Sequence, residues 1–126
     1  RYICKKQIKK GRSGTKELLK EFKKGTSIAL MIDQRVSEGI RSDFFGKEAL
    51  TTTIPAQFVK KFDAPVVPIY IERLDDNSFK LKINESIKFS QELTVNDITK
   101  KLNRILEKMI MTNPDQWIWT HNRWKI

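Results

Sequence analysis

A chain of 126 residues suffices for one domain with a modest core. Its single cysteine, Cys4, excludes an internal disulfide and a cysteine-based zinc site, and no run of 18 or more apolar residues is present to span a membrane. Net charge is +10, and residues 1–25 hold ten Lys/Arg against only Glu17 and Glu21, so +8 of it sits in the first fifth of the chain. Phosphates, anionic lipid or an acidic protein all suit such a terminus, and so does solubility with no partner at all. The chain opens on Arg1 rather than Met, without a signal-peptide pattern, and is read as a piece of a longer protein.

Residues 1–12 are basic, with apolar positions too sparse to show a period, and are read as loop or cut helix. Ser13-Gly14-Thr15 offers an N-cap. Leu18, Leu19 and Phe22 then recur at helical spacing until Gly25, which predicts a helix of about ten residues with Lys16, Lys20, Lys23 and Lys24 on its solvated face. Ile28-Ala-Leu-Met-Ile32 is a continuous apolar run and predicts a strand buried on both faces. Asp33, Gln34 and Arg35 follow at its carboxyl end, the edge where loops of open α/β sheets build ligand sites. The stretch continues through Glu38-Gly39-Ile40-Arg41, Phe44-Phe45-Gly46 and Thr51-Thr52-Thr53, giving polar groups beside an apolar platform. That suits a ligand part polar and part apolar, although an ordinary strand-loop-helix connection with core-filling Phe residues fits equally.

Pro55 fits the first turn of a helix carrying Phe58, Val59 and Phe62 and ended by Asp63-Ala64. Pro65 to Ile71 predicts a central strand with Pro68 at a bulge or near its start. Asp75-Asp76-Asn77 then turns the chain into a half-exposed antiparallel strand, in which Phe79, Leu81 and Ile83 alternate with polar residues. Thr94-Val-Asn-Asp97 resembles a capping box. Ile98, Leu102, Ile105, Leu106, Met109 and Ile110 follow on one helical face until Asn113-Pro114. The order α-β-α-β-β-α indicates α/β, with a sheet too small to be complete. The tail from Pro114 to Lys125 holds Trp117, Trp119 and Trp124 and the only histidine, His121. Three tryptophans beside Arg123 and Lys125 suit a membrane interface or a stacked anion site, or a tail folded back over the core.

His121 is the one candidate general base, and a lone tail histidine is more often structural. No serine or cysteine nucleophile elbow, zinc spacing or phosphate-binding glycine loop is present. From the residues alone the reading is an anion-binding α/β piece. However, Ile32-Asp33-Gln34-Arg35, Glu38-Gly39, Phe44-Phe45-Gly46, Ala49-x-Thr51, Pro55-Ala56, Val66-Val67-Pro68 and Pro114-x-Gln116-Trp117-x-Trp119-x-His121-x-Arg123-Trp124-Lys125 occur in order. Together they resemble the late acyltransferases of lipid A biosynthesis, within the wider lysophospholipid acyltransferase superfamily. Single motifs among these are weak. The ordered set with the tail is specific, and it covers about Lys9 to Lys125.

The resemblance implies transfer of a fatty acyl group from acyl carrier protein to a hydroxyacyl chain of a lipid A precursor, with no cofactor or metal. It implies work at the cytoplasmic face of the inner membrane of Gram-negative bacteria, anchored upstream of this chain. The family's base is a His followed, after four residues, by an Asp or Glu. Counting from His121 places Ile126 there, so the pair is expected upstream and this chain alone is expected to be inactive, as the C-terminal portion of an acyltransferase domain with a mixed sheet flanked by helices. The superfamily's Glu-Gly-Thr-Arg block, which helps bind the acceptor's phosphate, aligns by its preceding strand with Asp33-Gln34-Arg35. By letters it aligns with Glu38-Gly39-Ile40-Arg41. By resemblance, the residues implied in substrate binding are Lys10, Arg12, Asp33, Gln34, Arg35, Gly39, Arg41, Phe44, Phe45, Gly46, Thr51, His121 and Arg123. Lys9, Lys10 and Arg12 match a basic segment suited to a phosphosugar or to the acidic carrier. The competing readings are a non-enzymatic basic module for nucleic acid or anionic lipid and an interaction domain that has lost catalysis. Against nucleic acid, the aromatic residues cluster away from the basic run.

Overall fold

The computed structural model describes residues 6–9 and 11–125. The chain divides into two compact units, Arg1–Met31 and Ile32–Ile126. The first is built on α1 (Arg12–Lys23), whose apolar side chains Leu18, Leu19 and Phe22 are half-buried while Lys16, Lys20 and Lys23 are exposed. Gly11, not Ser13, is its N-cap, without a side-chain hydrogen bond, and Gly25 follows its end at φ +84°. The arm before the helix lies against Gly14, where an added Cβ would sit 1.8 Å from the Lys9 carbonyl oxygen.

The second unit is organised around α3 (Val95–Ile110). The capping box forms as the sequence predicts. Thr94 Oγ1 accepts from the Asp97 amide at 3.1 Å, and the Asp97 carboxylate accepts from the Thr94 amide at 2.9 Å. Bonds from the Thr94 hydroxyl and amide hold the Asp97 carboxyl below its ordinary value. Two apolar stripes leave this helix in different directions. Ile98 and Leu102 pack with Ala56 and Val59 of α2 (Ile54–Phe62) and with Phe89. Ile110, with Leu106 beside it, packs against Phe44 and Ala49. Each fully buried aliphatic or aromatic side chain contributes about 1.5–3 kcal/mol, so α3 joins two small cores that would not stand apart. Pro55 lies in the first turn of α2, and Asp63 closes that helix in the left-handed region at φ +51°.

Phe44 and Ala49 belong to a hairpin of β1 (Ile40–Phe44) and β2 (Lys47–Thr51), with Phe44 opposite Lys47. The two-residue loop Phe45-Gly46 has φ of +52° and +74°, the signature of a type I′ turn. A second antiparallel hairpin joins β3 (Ile69–Arg73) to β4 (Phe79–Ile83). The mixed α/β class therefore holds, with the order α-β-β-α-β-β-α.

Three sequence expectations need correction. Residues 28–32 form no strand: the backbone makes no ladder among the described residues, and Met31 is 79% exposed. An apolar run becomes a strand only when a neighbour takes its N–H and C=O groups, and none does here. The strand expected over 65–71 starts at Ile69, just past Pro68 as its missing N–H requires, but it is not central. Among the described residues it pairs only with β4 in a two-stranded sheet, and Ile69 and Ile71 are 50% and 57% exposed. Finally, β4 is exposed along its whole length rather than by halves. Among the described residues no helix is long and apolar enough to cross a membrane.

Candidate functional site

The residues singled out between Asp33 and Thr51 meet the tail on one side of the first hairpin. Arg123 is the centre of that meeting. It is fully buried, donating from Nη1 to the Leu50 carbonyl at 2.5 Å and from Nη2 to Thr51 Oγ1 at 2.9 Å. Its guanidinium lies 5.2 Å from the centre of the Phe44 ring, a cation–π contact. Burial pulls the group below its ordinary pKa, while the negative charge of Asp33 works in the opposite direction. An arginine stays charged throughout, so this is a buried cation held by a carbonyl, a hydroxyl, an aromatic face and the field of one carboxylate. Its Nε finds no partner among the described residues.

The neighbouring tail residues are fixed by the same hairpin and by Arg35, which precedes it. Trp124 Nε1 donates to the Phe44 carbonyl at 3.0 Å, and Arg35 Nε donates to the Lys125 carbonyl at 2.6 Å. Trp117 and Trp124 pack on Phe44, with ring centres 5.9 and 5.6 Å away. Trp119 approaches Phe45 at 6.0 Å, its Nε1 donates to the Pro114 carbonyl at 2.8 Å, and the residue stays 44% exposed. The tail folds back over the core, and Ile118, Trp119 and His121 remain at its surface.

On the same face, α3 also pins the hairpin. Asn103 is fully buried and its Nδ2 donates to the Asp43 carbonyl at 2.9 Å, with Ser42 Oγ and Thr51 Oγ1 at 3.3 and 3.4 Å. Arg104 pairs with Asp43, and the Glu107 carboxylate accepts the Phe45 amide at 2.7 Å. Thr51 Oγ1 thus stands between Arg123 and Asn103, so the tail and α3 are coupled through one hydroxyl. Gly39 packs directly on the backbone of Thr51, where any Cβ would lie 2.3 Å from its carbonyl oxygen.

The geometry sorts the residues taken from the sequence. Asp33, Arg35, Gly39, Phe44, Phe45, Thr51 and Arg123 gather around this junction, with Thr51 2% exposed and Phe44 fully covered. Gln34 lies beside them in the chain, half-buried and with a partner of its own. Gly46 is at the exposed turn. Arg41 points outward, its side chain 56% exposed and reaching Glu48 only at 3.8 Å. His121 is exposed on the turn Trp119–His121, and no ion pair of the described residues involves it. Lys10 lies outside the described residues, and Arg12 is placed as the first residue of α1. Among the described residues no cluster of His, Cys, Asp or Glu has the grouping to hold a metal ion.

Two contributors escape a reading of the sequence. Asn103 lies on the stripe Thr99, Asn103, Leu106, Ile110, and a polar residue inside an apolar stripe is the sign that could have found it. Gln116 acts as a clasp. Its side-chain amide accepts from the Arg73 amide and donates to the Arg73 carbonyl, both at 2.8 Å, so it occupies the free edge of β3 as a strand residue would.

No curated protein matches the chain. One family model, described as bacterial lipid A biosynthesis acyltransferase, matches residues 1–126. Of the motif stretches that suggest this family in the sequence, those holding Arg35, Phe44, Thr51 and the tail meet around Arg123, whereas Ala56 and Val66 belong to the other core. By that match along its whole length, the chain belongs to the bacterial lipid A biosynthesis acyltransferase family.

Proposed function

We propose that residues 1–126 supply the acceptor-holding part of an enzyme that moves a fatty acyl group from acyl carrier protein to a hydroxyacyl chain of a lipid A precursor, at the cytoplasmic face of the inner membrane. In that reaction the acceptor hydroxyl oxygen attacks the thioester carbonyl. The new C–O ester bond forms, the C–S bond breaks, the carrier thiol leaves, and the hydroxyl proton passes to a base. The base and its orienting carboxylate come from polypeptide outside these residues, because His121 is followed by no carboxylate at the required spacing. This chain by itself is then a binding part without turnover.

The observation that carries the reading is the junction itself. Arg35 is held by the tail, the charge of Asp33 acts on Arg123, Arg123 fixes the hairpin, and Arg41 is left facing solvent on that hairpin with only a 3.8 Å carboxylate neighbour. An exposed guanidinium without a close partner is suited to bidentate capture of a phosphate on the precursor. In the intact protein, Arg41→Gln is expected to raise KM for the phosphorylated acceptor about tenfold, the equivalent of one charge-assisted hydrogen bond. KM for the acyl carrier donor should stay within about twofold, as expected for a contact made to one substrate only. An unchanged acceptor KM removes Arg41 from the site.

A further inference from the structure

The first unit carries a row of charge that its own structure does not use. Its two described carboxylates are both occupied: Lys6 Nζ lies 2.7 Å from Glu17 and 3.0 Å from Glu21, and Lys24 Nζ lies 2.9 Å from Glu21. Bonds from Lys24 and then Lys6 hold the Glu21 carboxyl below its ordinary value. Glu17, Glu21 and Lys24 follow one another at helical spacing and form one flank of α1, neutralised internally. Lys16, Lys20 and Lys23 form the adjacent flank, about 100° round the axis. All three are exposed, and no ion pair of the described residues reaches any of them.

Helix stability does not account for this row. Lysines four apart repel by a few tenths of a kcal/mol, roughly 0.2–0.5. The helix dipole favours Lys20 and Lys23 at the C-terminal turn but gives nothing to Lys16, and α1 has no acidic residue in its first turn. Insertion into a bilayer does not account for it either. A helix lying in a lipid interface presents its apolar face outward, whereas Leu18, Leu19 and Phe22 are half-covered by protein and the cationic flank faces solvent. The row is a straight cationic edge about 10 Å long, two helical turns, complementary to carboxylates spaced along one face of a second helix.

We propose that the Lys16–Lys20–Lys23 flank of α1 docks an acidic helix of a protein partner, and, resting on the acyl-transfer reading above, that this partner is the acyl carrier protein. Rim charges of this kind act mainly on the association rate and its salt dependence.

The test uses the intact protein and labelled acyl carrier protein, followed by fluorescence anisotropy at low and physiological salt. K16E/K20E/K23E is expected to weaken binding at least about tenfold and to flatten its salt dependence. K16Q/K20Q/K23Q, which keeps the helix propensity, should give an intermediate loss, and K100E/K101E on α3 should give none. Circular dichroism checks that α1 persists. Sedimentation with phosphatidylglycerol vesicles runs in parallel. Carrier binding unchanged in both triple variants overturns the proposal. So does a row whose reversal abolishes vesicle binding while carrier binding stands, because the flank then serves a lipid surface. Carrier binding that follows the row in an intact protein without acyl transfer leaves the dock standing and removes the acyltransferase reading instead.

Discussion

Replacing Arg123 with alanine is expected to free the tail from the first hairpin and to cost about 3–5 kcal/mol of stability, the sum of a large buried side chain deleted and hydrogen bonds to a charged donor lost. The side chain is fully buried and holds both Leu50 O and Thr51 Oγ1. Its loss leaves a cavity under Phe44 and removes the cation from that ring. Arg123→Met separates the two contributions. Methionine restores most of the volume, and Leu50 O retains the Val36 amide at 3.3 Å, so the desolvated charge disappears without orphaning its main acceptor. About half the loss should therefore be recovered. Arg123→Lys should do worse than methionine, since one ammonium reaches only part of a fork-shaped site and remains buried. Urea midpoints give the energies. Tryptophan emission reports the cause, because a tail that lifts off wets Trp117 and Trp124 and shifts emission to the red. A blue-edge spectrum unchanged in the alanine variant would show that the tail is held by something other than Arg123.

The second large effect is expected at Gly39. Its conformation is open to any residue, so the constraint is space: a Cβ would lie 2.3, 2.6 and 2.9 Å from the carbonyl oxygen, carbon and amide nitrogen of Thr51. Those are backbone atoms of β2 and cannot swing aside as a side chain would. Gly39→Ala must push β1 away from β2 at the pair Ile40–Thr51 and so displace the hydroxyl shared by Arg123 and Asn103. Overpacking against backbone costs about 3 kcal/mol or more, the upper end for small-to-large changes. Because Gly39 and Arg123 act on the same strand, the double variant should lose less than the two losses added. Full additivity in urea denaturation would mean that the hairpin and the tail are not one cooperative piece.

The sequence is most transparent where local chemistry and burial agree. The box Thr94–Asp97 and the apolar stripe behind it specify α3. Pro55 and the Phe58, Val59, Phe62 spacing specify α2. The alternation after Asp75-Asp76-Asn77 specifies the second hairpin. The first hairpin is hidden because its turn is Phe45-Gly46. A bulky residue at φ +52° is a poor advertisement for a type I′ turn, usually built on Asn-Gly. Residues 28–32 mislead for the opposite reason, since an apolar run has the composition of a buried strand whatever its backbone is bonded to. Sequence placed Arg123, Thr51 and the Asp33–Arg35 group among the binding residues through resemblance. It gave no sign that Arg123 would be buried, because arginine is almost always exposed. Burial here depends on a hydroxyl 72 residues away.

The family places this chain in acyl transfer for lipid A, and the function proposed above puts acceptor binding at the hairpin–tail junction. The most direct measurement is acyl transfer by the intact protein from acyl carrier protein to a lipid A precursor, read by mass spectrometry of the lipid. The account predicts one added acyl chain in ester linkage per product molecule, and none from residues 1–126 assayed alone. A precursor unchanged by the intact protein, or acylated by residues 1–126 without any other polypeptide, would contradict it.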